Sequence, residues 1–233
     1  MADYKTIKGV KVQTYSTDPD NPIEGQVWYD NTAQTLQYQV PNKNAAGSWR
    51  TGNNMNTGRG QVSGSGTAQT AALAFLGYTD GSYTPSNICE SYDGTSWTEI
   101  ADLNTARYGS GESGSQTSAI VFGGTPVVVS NELWNGSSWT EVGNLNTGRA
   151  GAGSSSTTST SALAFGGEAP DYTAATESWD GSSWTELSDL SAAKANTGGS
   201  GTAINAIATG GDPVSANTEE WAFSHAIKTV TTS

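Results

Sequence analysis

The stretch Glu132-Leu133-Trp134-Asn135-Gly136-Ser137-Ser138-Trp139-Thr140-Glu141 constrains the fold more than any other feature, because near-copies return at residues 90–99 and 177–186. In each copy an acidic residue and an aromatic end one extended segment. Asp/Asn-Gly then supplies a tight turn that needs positive φ, and Trp-Thr-Glu opens the next segment, so each copy predicts a β-hairpin. A fourth copy, Glu219-Glu220-Trp221, has lost the turn. Composition alone points elsewhere: Leu, Ile, Val and Phe make only 33 of 233 residues and the net charge is −12, a balance typical of disorder. The repeat overrides it. Eight Trp and nine Tyr supply apolar area at fixed intervals, while Gly, Ala, Ser and Thr fill positions where strands approach closely.

Four landmarks hold the copies in register. Trp49, Trp97, Trp139 and Trp184 stand 48, 42 and 45 residues apart, a period expected for four-stranded units. Ten residues after each comes a basic residue, Arg59, Arg107, Arg149 and Lys194, in Asn-Thr-Gly-Arg, Asn-Thr-Ala-Arg, Asn-Thr-Gly-Arg and Ser-Ala-Ala-Lys. A small-residue strand is expected directly behind it, then an apolar strand at Ala71–Phe75, Ser118–Phe122, Ser161–Phe165 and Asn205–Thr209. That strand ends in Gly123-Gly124, Gly166-Gly167 and Gly210-Gly211, with Leu76-Gly77 as the departure. Paired glycines imply a backbone conformation or an approach barred to other residues. Length varies in the connection that follows.

Four strands cannot bury both faces alone, whereas sheets arranged radially cover one another and leave short protected edges. The expectation is an all-β propeller of four-stranded antiparallel blades. The small-residue strand would lie innermost and the Trp hairpin outermost, with the variable loops and basic connections on one face. Residues 1–24 read as an N-terminal strand (Val10–Tyr15) and turn-rich linker, a candidate attachment segment. Residues 25–51 read as a degenerate first blade of three short antiparallel strands, followed by repeats at about 52–100, 101–142, 143–187 and 188–233. Five blades are favoured, the alternative being four plus an N-terminal adaptor. The segment Ala226-Ile227-Lys228-Thr229-Val230 is expected beside the first blade.

An apolar strand, Gly-Gly, Tyr/Trp and then Trp in units of this length resemble the kelch family of β-propellers over roughly residues 49–221. Ala226 at the second Trp position of the last hairpin, and Leu76, depart from the pattern. The Asn-Thr-Gly/Ala-Arg and Asp-Gly-Ser-Ser-Trp-Thr phrasing, with Gly25-Gln26-Val27-Trp28-Tyr29-Asp30 ahead of it, is similar to kelch-like proteins of marine bacteriophages. That resemblance implies a virion or tail protein, made in the host cytoplasm.

Several classes of chemistry lack their residues. With a pI near 4.3 the chain lacks the clustered Lys/Arg that nucleic-acid binding needs. No 18-residue apolar run suits a membrane span, and the first residues lack the apolar core of a signal peptide. The lone Cys89 occupies a slot that is Asn131, Thr176 and Thr218 elsewhere, so a buried inert thiol is expected rather than a disulfide or zinc site. The single His225 would have to carry any nucleophilic triad, and no cofactor or metal motif is present. Ser91-Tyr92-Asp93-Gly94-Thr95-Ser96-Trp97 mimics a sialidase Asp-box but sets Asp and Gly adjacent, as a hairpin turn does.

The leading expectation is a non-catalytic structural or adhesive protein of a phage particle. Lys5, Lys8 and Lys11 are candidate contacts to another virion protein, and a homo-oligomer is compatible with this role. The alternative is a carbohydrate-binding module using Tyr78, Asp80 and Tyr83 of the longest variable loop on a host-surface glycan. Arg59, Arg107, Arg149 and Lys194 could form a ligand-facing ring for a carboxylate or acidic sugar. Their fixed spacing favours the other reading, pairing with the repeated Glu90, Glu132, Glu177 and Glu219 inside the fold. A third reading, a polysaccharide hydrolase, would need off-repeat carboxylates such as Glu112, Glu168 and Asp171 to pair.

Overall fold

A computed structural model describes residues 6–7, 10–16, 26–38, 49 and 51–223. The chain divides into two compact units, Met1–Thr51 and Gly52–Ser233. In the first, β1 (Thr6–Ile7) pairs antiparallel with β2 (Val10–Lys11). A second sheet joins β3 (Gln13–Tyr15), β4 (Val27–Asp30) and β5 (Thr35–Tyr38). β4 and β5 are antiparallel as expected, but β3 runs parallel to β4, with Gln13 opposite Trp28. This corrects the expectation of antiparallel strands throughout: the eleven residues between Tyr15 and Val27 are long enough for the crossover that parallel pairing demands. Trp49, expected on a third strand, lies outside any strand and is fully exposed.

The second unit is built from the repeats. Its first sheet has β6 (Ser63–Ala68), β7 (Ala71–Phe75), β8 (Cys89–Tyr92) and β9 (Trp97–Glu99). The second has β10 (Gly111–Ser115), β11 (Ser118–Phe122), β12 (Asn131–Trp134) and β13 (Trp139–Glu141). The third has β14 (Gly153–Thr158), β15 (Ser161–Phe165), β16 (Thr176–Trp179) and β17 (Trp184–Glu186). The fourth has three described strands, β18 (Gly198–Thr202), β19 (Asn205–Thr209) and β20 (Thr218–Ala222). Each sheet is an antiparallel meander in sequence order. The apolar strands fall where the sequence places them. In the three hairpins Gly94, Gly136 and Gly181 take φ of 95°, 95° and 99°, and Asp93, Asn135 and Asp180 accept hydrogen bonds from two backbone N–H groups of their own turns. The final strand expected at residues 226–230 lies outside the described residues.

Neighbouring sheets meet in chain order along their first strands, β6 beside β10, β10 beside β14 and β14 beside β18. Small residues on these strands permit the approach: a Cβ on Gly199 would stand 1.9 Å from the Ser154 carbonyl oxygen. The core consists of three clusters, one per junction. Leu73 and Phe75 pack on Ala119, Val121, Trp134 and Trp139; Ile120 and Phe122 on Ala162, Ala164, Trp179 and Trp184; Leu163 and Phe165 on Ala206, Ala208 and Trp221. Bulky residues of one second strand thus enter the small residues and indoles of the next sheet.

The first strands begin four residues later than expected. The residue after each basic side chain, Gly60, Tyr108, Ala150 or Ala195, bridges instead to the residue after the Gly-Gly position, Tyr78, Thr125, Glu168 or Asp212. The next residue, Gln61, Gly109, Gly151 or Asn196, then turns the chain at φ of 47° to 61°, which separates the bridge from the strand.

Candidate functional site

The four basic side chains lie in the interior. Arg59 pairs with Glu90 at 2.8 Å, Arg107 with Glu132 at 3.2 Å, Arg149 with Glu177, and Lys194 with Glu219 at 2.9 Å. The three arginine side chains are fully buried and Lys194 is nearly so. The Asn-Thr-Gly-Arg phrase forms a cradle for the carboxylate: Glu177 accepts the N–H of Asn146 (2.7 Å), its Nδ2 (2.8 Å), the N–H of Thr147 (3.3 Å) and Nη2 of Arg149. Glu132 repeats this with Asn104 and Thr105, and Glu90 with Asn56 and Thr57. The rest of the guanidinium caps the turn beyond the apolar strand, Arg149 donating to the carbonyls of Gly166 and Ala175, and Arg59 to those of Leu76 and Ile88. Arg107 makes only the ionic contact; its nitrogens lack hydrogen-bond geometry to any acceptor. Burial pulls the Arg107 and Arg149 guanidinium groups below their ordinary pKa, and the paired carboxylates push them back up.

No other Lys or Arg occurs between residues 52 and 223, so every cation of this stretch is held inside by a carboxylate. Lys5 and Lys8 lie outside the described residues, and Lys11 is on β2.

Aromatic side chains meet where the bridges and variable loops lie together. Tyr78 and Tyr83 have ring centroids 4.7 Å apart, Tyr78 and Tyr108 5.6 Å, and Tyr83 and Tyr108 6.4 Å. Tyr83 is 54% exposed, and Tyr78 and Tyr108 are half-buried. Gly60 seats this cluster, since a Cβ there would stand 2.4 Å from the Tyr78 ring. Asp80 fixes the loop: its carboxylate accepts the N–H groups of Ser82 and Thr84 and the Thr84 hydroxyl. These bonds, the Thr84 N–H foremost, hold the Asp80 carboxyl below its usual range. Asp80 is thereby spent on its own turn. Two junctions along, Tyr172 donates its hydroxyl to Asp212 at 2.7 Å, and this bond raises the Tyr172 pKa.

Tyr108 was not among the sequence-derived candidates. It belongs to the first sheet's neighbour in sequence, and its signal is positional: it is the one aromatic at a site that is Gly60, Ala150 and Ala195 in the other repeats.

The off-repeat carboxylates part company. Glu112 stands on the first strand β10, whereas Glu168 and Asp171 belong to the third sheet's variable loop, joined by the Ala169 N–H to the Asp171 carbonyl. Burial raises the Glu112 pKa to about 7, against a smaller downward pull from the Ser63 hydroxyl. Because the folded value exceeds the ordinary 4.5, the stability present at low pH is lost as pH rises from about 4.5 through 7. Glu112→Gln is expected to remove this dependence, gaining roughly 2–3 kcal/mol over the parent at pH 8 and little at pH 4. Thermal melts across that range check it; equal pH slopes in parent and variant would refute it. Cys89 is buried, and desolvation pushes its thiol up to about 12, so it is unreactive at neutral pH.

Among the described residues no group of three or more His, Cys, Asp or Glu could hold a metal ion, and no helix is long and apolar enough to cross a membrane. His225 lies outside the described residues. No protein-family model matches the chain, and no curated protein matches it.

Proposed function

We propose that this protein is a non-catalytic adhesive component of a bacteriophage particle that binds neutral host-surface carbohydrate through the Tyr78–Tyr83–Tyr108 cluster. The observation that carries the reading is the pairing of an exposed aromatic cluster with the burial of every cation of residues 52–223. Tyrosine rings present apolar faces and hydroxyl edges that suit the C–H faces and hydroxyls of a sugar ring. An acidic surface without a free Arg or Lys disfavours sulfated, phosphorylated or sialylated glycans by repulsion. The kelch-like likeness supports a closed propeller of five blades over four plus an adaptor. The repeated junctions favour such closure, because each sheet buries one face only against its successor.

Two measurements test this. On a glycan array, the protein is expected to bind neutral hexose-containing glycans in preference to anionic ones. Tyr83→Ala is expected to weaken binding about tenfold, as loss of a stacking ring does, with little change in melting temperature because Tyr83 is mostly exposed. Preference for anionic glycans, or binding indifferent to Tyr83, would sink the carbohydrate reading. Mass spectrometry of density-purified virus particles tests the virion assignment: peptides ending at Arg107 and Arg149 should travel stoichiometrically with the capsid protein, and their absence removes it.

A further inference from the structure

The three junctions between sheets of the second unit follow one rule until the last. At the first junction Phe75 meets the Trp139 ring edge-on at 5.3 Å, and at the second Phe122 meets Trp184 edge-on at 4.8 Å. These indoles come from the fourth strand of the following sheet, where each also pairs with the Trp of the third strand, Trp134 or Trp179. At the third junction Phe165 occupies the equivalent place and Trp221 supplies the third-strand indole, whose Nε1 donates to the Ala203 carbonyl as Trp179 Nε1 does to Ser159. The second indole is missing. The sequence has Ala226 at that position. In its place is a cleft of about 70 Å³, walled by Leu163, Phe165, Leu190, Ala206, Ala208 and Trp221. Asp189, Glu219 and Glu220 also line it, with Lys194 bound to Glu219.

We infer that this cleft is a binding site for a planar, uncharged or cationic aromatic ring, seated against Phe165 and Trp221 as Trp139 and Trp184 are seated at the other two junctions. Two occupied copies of the same junction identify the chemistry of the missing occupant. An apolar cleft lined by Leu, Phe and Trp stays unfavourable for water, whereas an aromatic ring recovers both the lost area and the edge-to-face contact. The carboxylates disfavour an anionic ring. The site is separate from the tyrosine cluster and does not depend on its role.

The test is a titration of the full chain with indole, read by saturation-transfer NMR and by thermal denaturation. Saturable binding is expected with Kd on the order of 0.1–1 mM, a value in keeping with a nine-atom ligand. Indole-3-acetate should bind at least several-fold more weakly. Ala208→Leu, which extends a side chain into the cleft, should reduce indole affinity at least tenfold. Should that variant fold poorly, Phe165→Leu keeps the volume but removes the ring edge, and should weaken binding several-fold. N-acetyltryptophanamide distinguishes sources: binding comparable with indole assigns the cleft to a Trp side chain of another chain, and binding of indole alone assigns it to a free small aromatic. No saturable binding to the full chain, or binding equal in the parent and both variants, would overturn the inference.

Discussion

Glu177→Ala is expected to destabilise the second unit by about 3–5 kcal/mol, the largest loss of any single side-chain truncation in the array. Removing this carboxylate leaves the Arg149 guanidinium fully buried without its counter-charge, a far greater penalty than losing an exposed pair. It also strips the acceptor from the N–H groups of Asn146 and Thr147, so the connection into β14 loses its anchor. Glu219→Ala provides the comparison. Its carboxylate is 24% exposed and its partner is a lysine, so a loss of about 1 kcal/mol or less is expected. Urea denaturation of both variants checks the pair of values. Similar small losses in the two would mean that the interior ion pairs do not hold the repeats in place. The double variant Glu177→Leu with Arg149→Met should regain much of the loss, since well-packed apolar residues often replace a buried pair at little cost.

Gly123→Ala is the second large expected effect, about 3 kcal/mol or more. Gly123 has φ of 62°, and a Cβ there would stand 2.3 Å from the carbonyl oxygen of Arg149 in the next repeat. The left-handed conformation alone costs an alanine about 1–2 kcal/mol. The clash is with backbone, so relief requires moving one sheet against its neighbour. Gly210→Ala separates these contributions, because Gly210 has φ of 63° but its nearest neighbour is the Ser215 carbonyl at 3.5 Å. That variant should lose only the conformational part. Equal losses at the two positions would show that the junction itself is not tight. The protein holds a natural version of this experiment in Leu76, which occupies the same slot at φ of 60° with a fully buried side chain. There the hydrogen bond across the junction, Gly77 N–H to the Arg107 carbonyl, is 3.1 Å. Its counterparts from Gly124 and Gly167 are 2.8 Å.

Much of this was legible in the residues. Asp/Asn-Gly at fixed offsets dictates a turn with positive φ, and five-residue apolar runs between small-residue segments dictate buried second strands. Both are local properties, decided by which conformations a short segment can adopt and which face it must bury. The invariant ten residues from Trp to the basic side chain are equally a local matter. They measure the length of chain needed to lay two N–H groups and one cation around a single carboxylate.

What the repeats do to one another was settled only in three dimensions. Nothing in the chain order distinguishes a surface ring of cations from four interior ion pairs. The choice depends on whether a carboxylate some thirty residues away folds back to meet each cation, as Glu177 does Arg149. Tyr108 joins Tyr78 and Tyr83 because the residue after each basic side chain bridges to the variable loop instead of entering the first strand. The parallel pairing of β3 with β4 likewise turns on a long connection whose course the sequence does not encode locally. Sequence periodicity determined the strands, the turns and the places of the small residues, since these follow from conformational preference and burial within one unit. Tertiary structure alone decided which charges are neutralised, which aromatic rings gather, and which junction lacks its indole, because each of these is a property of two repeats in contact.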